Sequence, residues 1–277
     1  MADPRTPNAE QAALWNDASG QTWRDMQAVL DEMLAPFVEP LLPREARRVL
    51  DVGCGAGATT LAIARRAGSD SRCLGVDISA PLIAAARAHA AAEQLTNVEF
   101  LEADAQTHDF QAAAFDAVVS RFGVMFFDDP IAAFANIRRA ARPDANLTFV
   151  AWRSPADNPF MTAATRAAAP LLPNFKVACS SAPGQFAFAD GERVRSILRD
   201  SGWHDIDLSA LDVASSVSEA DLLEYAAKLG PVGLALRELD EAQRAPIVAA
   251  VQAAYAPYLR SGTARFDMAV WLVRARA

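Results

Sequence analysis

Cysteine is scarce in this chain: Cys54, Cys73 and Cys179 stand far apart and no Cys-x-x-Cys occurs. That excludes a disulfide framework and a zinc ribbon, and it sets the expectation of a reducing, cytoplasmic setting. No apolar run approaches the roughly 18–20 residues of a membrane span. The opening Met1-Ala2-Asp3-Pro4-Arg5 is polar and has no secretory core, in keeping with that setting. No basic block offsets the net charge of −8, so nucleic acid is not an expected partner. With 13 glycines and 16 prolines, collagen-like and low-complexity classes are excluded. There is no internal repeat. What the chain does have is 277 residues, 52% of them hydrophobic, enough for a full core in one large domain or two small ones.

Three zones follow. Residues 1–46 read as helices carrying Trp15, Trp23, Met26, Leu30, Met33 and Leu34, broken by Pro36, Pro40 and Pro43. Residues 47–152 alternate strand and helix. Strands are expected at Arg48–Val52, Leu74–Asp77, Asn97–Leu101, Phe115–Ser120 and Leu147–Trp152, and helices at Thr59–Ala67, Pro81–Ala92 and Ile131–Ala141. This alternation predicts an α/β fold with a doubly wound, mostly parallel sheet. Residues 153–277 are less regular. A helix is expected near Gly191–Asp200, a strand at Ile206–Leu208, helices at 219–229 and 238–254, and a closing strand at Phe266–Val273.

The most informative segment is Val49-Leu50-Asp51-Val52-Gly53-Cys54-Gly55-Ala56-Gly57-Ala58-Thr59-Thr60. It follows a strand and opens a helix. Glycines there let the backbone turn tightly and approach a ligand, and the helix start offers free N–H groups. Gly53-x-Gly55-x-x-Ala58 formally fits a dinucleotide fingerprint, and Asp77, 24 residues after Gly53, suits a ribose in either reading. Asp51 separates the two. A carboxylate just ahead of the first glycine repels a pyrophosphate and suits a cationic ligand. Asp104 adds an acid after the third strand, so acids follow strands one, two and three on one sheet edge.

This constellation resembles the class I S-adenosylmethionine-dependent methyltransferases, and its core is similar to the small-molecule branch that includes ubiquinone and menaquinone biosynthesis. The resemblance rests on Leu50–Gly57, on Gly75-Val76-Asp77-Ile78-Ser79, on Asp104-Ala105 and on Phe115–Arg121. It implies a Rossmann-like, seven-stranded sheet and S-adenosylmethionine as cofactor. Carried over residue by residue, Gly53, Gly55 and Gly57, with Thr59 opening the next helix, line the methionine part. Asp51 acts toward the amino group, Asp77 takes the ribose hydroxyls, and Ile78 packs on adenine. Asp104 receives the adenine amino group beside Ala105, while Ser120, Arg121 and Phe122 lie under the sulfonium. The Trp15…Gly20…Trp23 pattern looks like leading helices that close over the cofactor, making residues 1–46 a lid segment and 47–152 the cofactor-binding core.

One departure from that family stands out. Strands six and seven are usually a near-continuous hairpin, but residues 214–263 intervene here; with 153–200 they form two helical cap insertions. Phe126, Trp152, Phe160 and Phe186 follow strands four and five or fall in the insertion, and they suit an apolar acceptor pocket off the strand ends. Asn158-Pro159-Phe160 and Pro183-Gly184-Gln185-Phe186 read as loops that position a lid. Arg121 either neutralises an acidic acceptor or pairs with Asp128 or Asp129. His89, His108 and His204 sit in no motif: His89 is expected on a solvated helix face, and no base is assigned. The expected activity is in-line methyl transfer to a small, largely apolar, possibly aromatic acceptor. The alternatives are a non-catalytic S-adenosylmethionine-binding protein and a nicotinamide-dependent oxidoreductase. Calorimetry separates the last: S-adenosylmethionine and S-adenosylhomocysteine should bind and NADH should not, and the reverse result would reject the reading.

Overall fold

A computed structural model describes residues 6–172 and 182–277 of the chain. Cys179 lies outside the described residues. Three eight-residue helices lead: α1 (Ala9–Asn16), α2 (Ala18–Asp25) and α3 (Gln27–Leu34). The third is anchored by Leu30, Met33 and Leu34, whose spacing of three and four puts them on one buried face. Pro36 and Pro40 open the short turns Ala35–Phe37 and Glu39–Leu41, where a missing N–H costs nothing.

The parallel sheet then assembles from β1 (Arg48–Val52), α4 (Ala58–Ala67), β2 (Arg72–Asp77), α5 (Ala80–Ala92), β3 (Val98–Glu102), β4 (Phe115–Arg121), α6 (Pro130–Ala140) and β5 (Ala141–Trp152). Four of the five β1 residues are buried, as expected of a central strand covered on both faces. The helix α4 buries Thr59, Thr60, Leu61, Ile63 and Ala64, carries Arg65 and Arg66 in its last turn, and stops at Gly68 with φ +73°. Asp129 caps α6 by accepting from the Ala132 N–H, with Pro130 in the first turn.

After β5 come α7 (Ala163–Ala168), α8 (Gly191–Asp200), β6 (His204–Ser218), α9 (Glu219–Lys228), α10 (Gly230–Arg237), α11 (Glu241–Tyr255), β7 (Leu259–Arg260) and β8 (Thr263–Arg276). The sheet order is β3-β2-β1-β4-β5-β8-β6, with the two-residue β7 paired to β8. Strands β1 to β5 are parallel, and β8 runs antiparallel between β5 and β6. The doubly wound, mostly parallel seven-stranded fold expected from the sequence is therefore the fold observed, with β7 as a small addition.

Several boundaries differ: β5 begins at Ala141, not Leu147, and β8 spans Thr263–Arg276, not Phe266–Val273. β6 runs on to Ser218, so the second helical insertion is 219–258, not 214–263. Its Ser, Ala and Asp residues have little intrinsic preference for strand. Pairing with β8 from Ser218↔Thr263 to His204↔Arg276 makes them one. The helix α10 begins Gly230-Pro231, a pair that reads as a break, although proline is tolerated in a first turn.

The loop holding Phe160 also departs from expectation. Asn158 Nδ2 donates to the Ala269 carbonyl and its Oδ1 accepts from the Ala269 N–H, both at 2.9 Å, so the loop is fastened to β8 and is no lid element. Phe160 is 1% exposed and stacks on Phe266 at 3.5 Å between centroids, with Tyr255 and Tyr258 at 5.2 and 5.1 Å. It is a core residue beneath the cap and does not line an acceptor pocket. Phe160→Ala should accordingly lower the unfolding free energy by about 3–5 kcal/mol, the cost of emptying a packed aromatic site. Urea unfolding measures this, and a loss under about 1 kcal/mol would contradict the core assignment.

Candidate cofactor site at the carboxyl edge of the sheet

The glycine loop folds back over β2. The N–H groups of Gly53 and Cys54 both donate to the Val76 carbonyl, at 2.8 and 3.0 Å. Gly53 has φ +67°, and a Cβ there would lie 2.5 Å from the Cα of Gly123; a Cβ on Gly123 would lie 2.6 Å from the Cα of Gly53. Glycine is thus required on both sides of this contact. Gly55, with φ +55°, has nothing within 4 Å of its missing Cβ, which marks the open side of the loop. Gly57 is the N-cap of α4. Asp77 joins loop to helix: its Oδ2 accepts from the Gly55 N–H at 2.8 Å and its Oδ1 from the Ser79 N–H at 2.9 Å.

Asp51 lies under this loop and is 1% exposed. Its Oδ2 accepts from the Thr60 hydroxyl at 2.6 Å, while its Oδ1 is buried without a partner. Thr59 is also buried, and its hydroxyl has no partner. Desolvation raises the Asp51 carboxyl to a pKa of about 6; the Thr60 hydrogen bond and the Arg121 charge oppose the shift, and Asp77 adds to it. Burial also raises Asp77, against the N–H groups of Ser79, Gly55 and Ile78. A buried carboxylate with an unused oxygen is costly unless a donor or a cation reaches it. An ammonium group meets that need and a pyrophosphate does not.

The leading helices dock on the ends of β2, β3 and β4. The Ser79 hydroxyl donates to the Trp15 carbonyl at 2.8 Å. Asn16 Nδ2 donates to the Ile78 carbonyl at 2.9 Å, and Asn16 Oδ1 accepts from the Ala80 N–H at 2.8 Å. Asn8, 2% exposed, gives its Nδ2 to Asp104 Oδ1 at 2.9 Å and exchanges two hydrogen bonds with Asp128. Asp104 Oδ1 also accepts from the Gln106 N–H at 2.8 Å, and Asp104 Oδ2 from Thr107 at 3.2 Å. Trp15 meets Trp23 and Phe126 edge to face, with centroids 5.5 and 5.4 Å apart. Ala105 is buried beside this edge.

At the end of β4 the structure departs from several sequence expectations. The Ser120 hydroxyl is buried and occupied: it donates to the Val52 carbonyl at 2.7 Å and accepts from the Gly123 N–H at 3.1 Å. Arg121 pairs with Asp31 of α3 at 3.0 Å, not with Asp128 or Asp129. Phe122 holds a left-handed backbone, φ +65°, and stacks on Trp152 at 4.2 Å. Phe37 meets both rings edge to face, so Trp152 is packed in the core. Phe186 is half-buried against the core. His89 is half-buried, and its Nδ1 lies 3.1 Å from the Ala56 carbonyl and 3.4 Å from the Gln27 side-chain amide nitrogen. Sequence reasoning missed Asn8, Asn16 and Gly123, quoted Ser79 only as part of its motif, and named His89 without giving it a partner. A glycine immediately beyond a strand end was the one available signal, at Gly123; the others act through contacts of 33 to 120 residues in sequence separation.

A doubly wound sheet with a glycine loop and three acids at the strand ends, one of them the buried Asp51, is the arrangement that the sequence resemblance implies. Comparison with known proteins finds that residues 49–144 match the family described as a methyltransferase domain. It is 38% identical over 93 residues to the aklanonic acid methyltransferase DauC of Streptomyces sp. (strain C5), an alignment covering 34% of this chain and 42% of that protein. It is 34% identical over 120 residues to the nocamycin O-methyltransferase of Saccharothrix syringae, covering 42% and 43%. The chain therefore spans less than half the length of these curated relatives. In fold it is similar to YcgJ of Bacillus subtilis, with TM-score 0.56, 17% identity and coverage of 88% and 97%. It is also similar to the [4+2]-cyclase SpnF, with TM-score 0.59, 19% identity and coverage of 100% and 98%.

Asp51 generates a pH prediction. Its folded pKa lies near 6, above the usual 3.8. The folded apo protein thus holds this proton more tightly than the unfolded chain, and the site adds stability as pH falls from about 7 toward 4. Binding of a cationic ligand needs the ionised form. The dissociation constant for S-adenosylmethionine should rise below pH 6, by up to about tenfold per unit, and Asp51→Asn should flatten that dependence. Titration calorimetry from pH 5 to 8 tests it; an unchanged slope in the variant would contradict the role of Asp51.

Proposed function

We propose that this protein transfers a methyl group from S-adenosylmethionine to a small, largely apolar acceptor. The observation that carries the reading is the buried Asp51 Oδ1, unpartnered beneath an open glycine loop. Gly53, Gly55, Gly57 and Thr59 would hold the methionine part, Asp51 the amino group, Asp77 the ribose hydroxyls, and Ile78, Asp104 and Ala105 the adenine. The cofactor supplies an electrophilic methyl group on a sulfonium. The chain's own part is to orient the acceptor and exclude water. Trp15, Trp23 and Phe126 are suited to this, since their edge-to-face cluster roofs the strand ends. Ser120 keeps the floor in shape through Val52 and Gly123. Phe122, with Trp152 behind it, supplies an apolar surface there.

The acceptor side would be formed by Phe126 and Phe186, with Trp152 and Phe122 as backing and Phe160 excluded. The names of the two curated relatives, on aklanonic acid and nocamycin, favour a small molecule. The net charge of −8 disfavours nucleic acid. Among the described residues no helix is long and apolar enough to cross a membrane, and the scarcity of cysteine suits the cytoplasm.

The test is transfer of labelled methyl from S-adenosylmethionine to a panel of phenols, hydroxylated polycyclic aromatics and quinols, beside bulk RNA and protein. Label should appear on a small aromatic acceptor. Phe186→Ala should then raise the acceptor KM about tenfold while leaving that of S-adenosylmethionine within a factor of about two, as loss of one large apolar contact implies. Label on RNA or protein alone, or cofactor binding with no acceptor at all, would overturn the proposal.

A further inference from the structure

The amino ends of the strands, on the side of the sheet away from the glycine loop, gather positive charge. Arg47 and Arg48 open β1, Arg72 opens β2 and Arg142 lies near the start of β5. With Ser69 and Asp70 they line a cavity of about 570 Å³. Arg48 and Arg72 are direct register partners on adjacent strands, an arrangement in which like charges destabilise a sheet. The carboxylate that could relieve them is already committed. Asp116 Oδ1 accepts from the N–H groups of Arg47 and Arg48 at 3.1 and 3.0 Å, and its Oδ2 accepts from Arg47 N–H at 3.2 Å and lies 3.5 Å from Arg142. Arg72 is oriented through one nitrogen, which donates to the carbonyls of Ser69 and Ser71, both at 2.9 Å. The side chains of Arg47 and Arg48 have no acceptor among the described residues. Four guanidiniums thus face only two carboxylates, Asp70 and Asp116, in a protein that is acidic overall.

From this we propose a second ligand site at this pole, for a small molecule bearing two or more phosphate charges. Arginine forks match phosphate oxygens in pairs, and several forks from different strands can hold more than one phosphate. The cleft is shallow and open to solvent, with all six lining residues exposed, so a ligand would be held by the arginine charges and not by enclosure. The net charge of −8 acts against any long polyanion, whereas a compact anion in direct contact with the four arginines is governed by those near charges. The ligand would offset the Arg48–Arg72 repulsion, which explains why two arginines can be kept side by side. The site is separate from the cofactor edge and does not depend on the methyl-transfer reading.

The experiment uses the full chain with inorganic pyrophosphate and tripolyphosphate as probes in titration calorimetry and thermal unfolding. The wild type should bind tripolyphosphate saturably and more tightly than pyrophosphate, and its Tm should rise on binding. The double variant R48Q/R72Q should bind about a hundredfold more weakly, roughly tenfold per charge-assisted contact removed. Without phosphate its Tm should equal or exceed that of the wild type, since a like-charge pair has gone; this also shows that it folds. Arg274→Gln, a charge change on β8, should leave binding unchanged. Equal binding by R48Q/R72Q, equal loss in R274Q, no saturable binding, or binding only to polymeric anions such as heparin or polyglutamate would each overturn the proposal.

Discussion

The site depends on a contact between two glycines. Gly53 ends the turn after β1 and Gly123 follows β4, and their backbones approach too closely for a methyl group on either. The consequences extend outward. Ser120 can bridge the two segments only at this separation, through Val52 and Gly123. The chain must also turn sharply just before Gly123, which puts Phe122 into the left-handed region at φ +65°. That conformation is costly for a bulky residue, and the stacking of Phe122 on Trp152 and its edge contact with Phe37 help to hold it. One close approach thus determines the shape of the glycine loop, the floor of the site and part of the core behind it.

Electrostatics supplies the second constraint. Asp51 sits in the buried central strand, where desolvation disfavours its charge, and its partners are Thr60 and the nearby charge of Arg121. Arg121 is itself held by Asp31 in α3. A leading helix therefore influences the charge state of the carboxylate beneath the glycine loop. The same leading segment contacts Asp104 through Asn8 and the Ile78–Ala80 turn through Asn16. The leading helices are joined to the strand ends by directional polar contacts as well as by aromatic packing.

Much of the fold could be read in the sequence because the parallel half is built from local signals. Apolar runs such as Arg48–Val52 are followed by glycine, and helices such as Ala58–Ala67 end at glycine, so each element is marked by its own residues. The antiparallel half lacks such marks. Residues 209–218 of β6 are mostly Ser, Ala, Val and Asp, and they become a strand by pairing with β8. The same reason explains Phe160: a phenylalanine in a Pro-containing loop gives no sign of whether it faces ligand or core until Asn158 fastens that loop to Ala269.

The sequence by itself determined the α/β class, the glycine loop and the order of the acids Asp51, Asp77 and Asp104. These follow from residue type and spacing within βαβ units, where distance along the chain translates directly into position on one sheet edge. Only the tertiary structure decided that Asp51 keeps an unpartnered oxygen, that Ser120 is a bridge, that Arg121 meets Asp31, and that Phe160 belongs to the core. Each is a matter of which side chains and backbone groups meet after the chain has folded. Pairs such as Asp31 and Arg121, 90 residues apart, are brought together by packing of whole helices on the sheet, which no local pattern encodes.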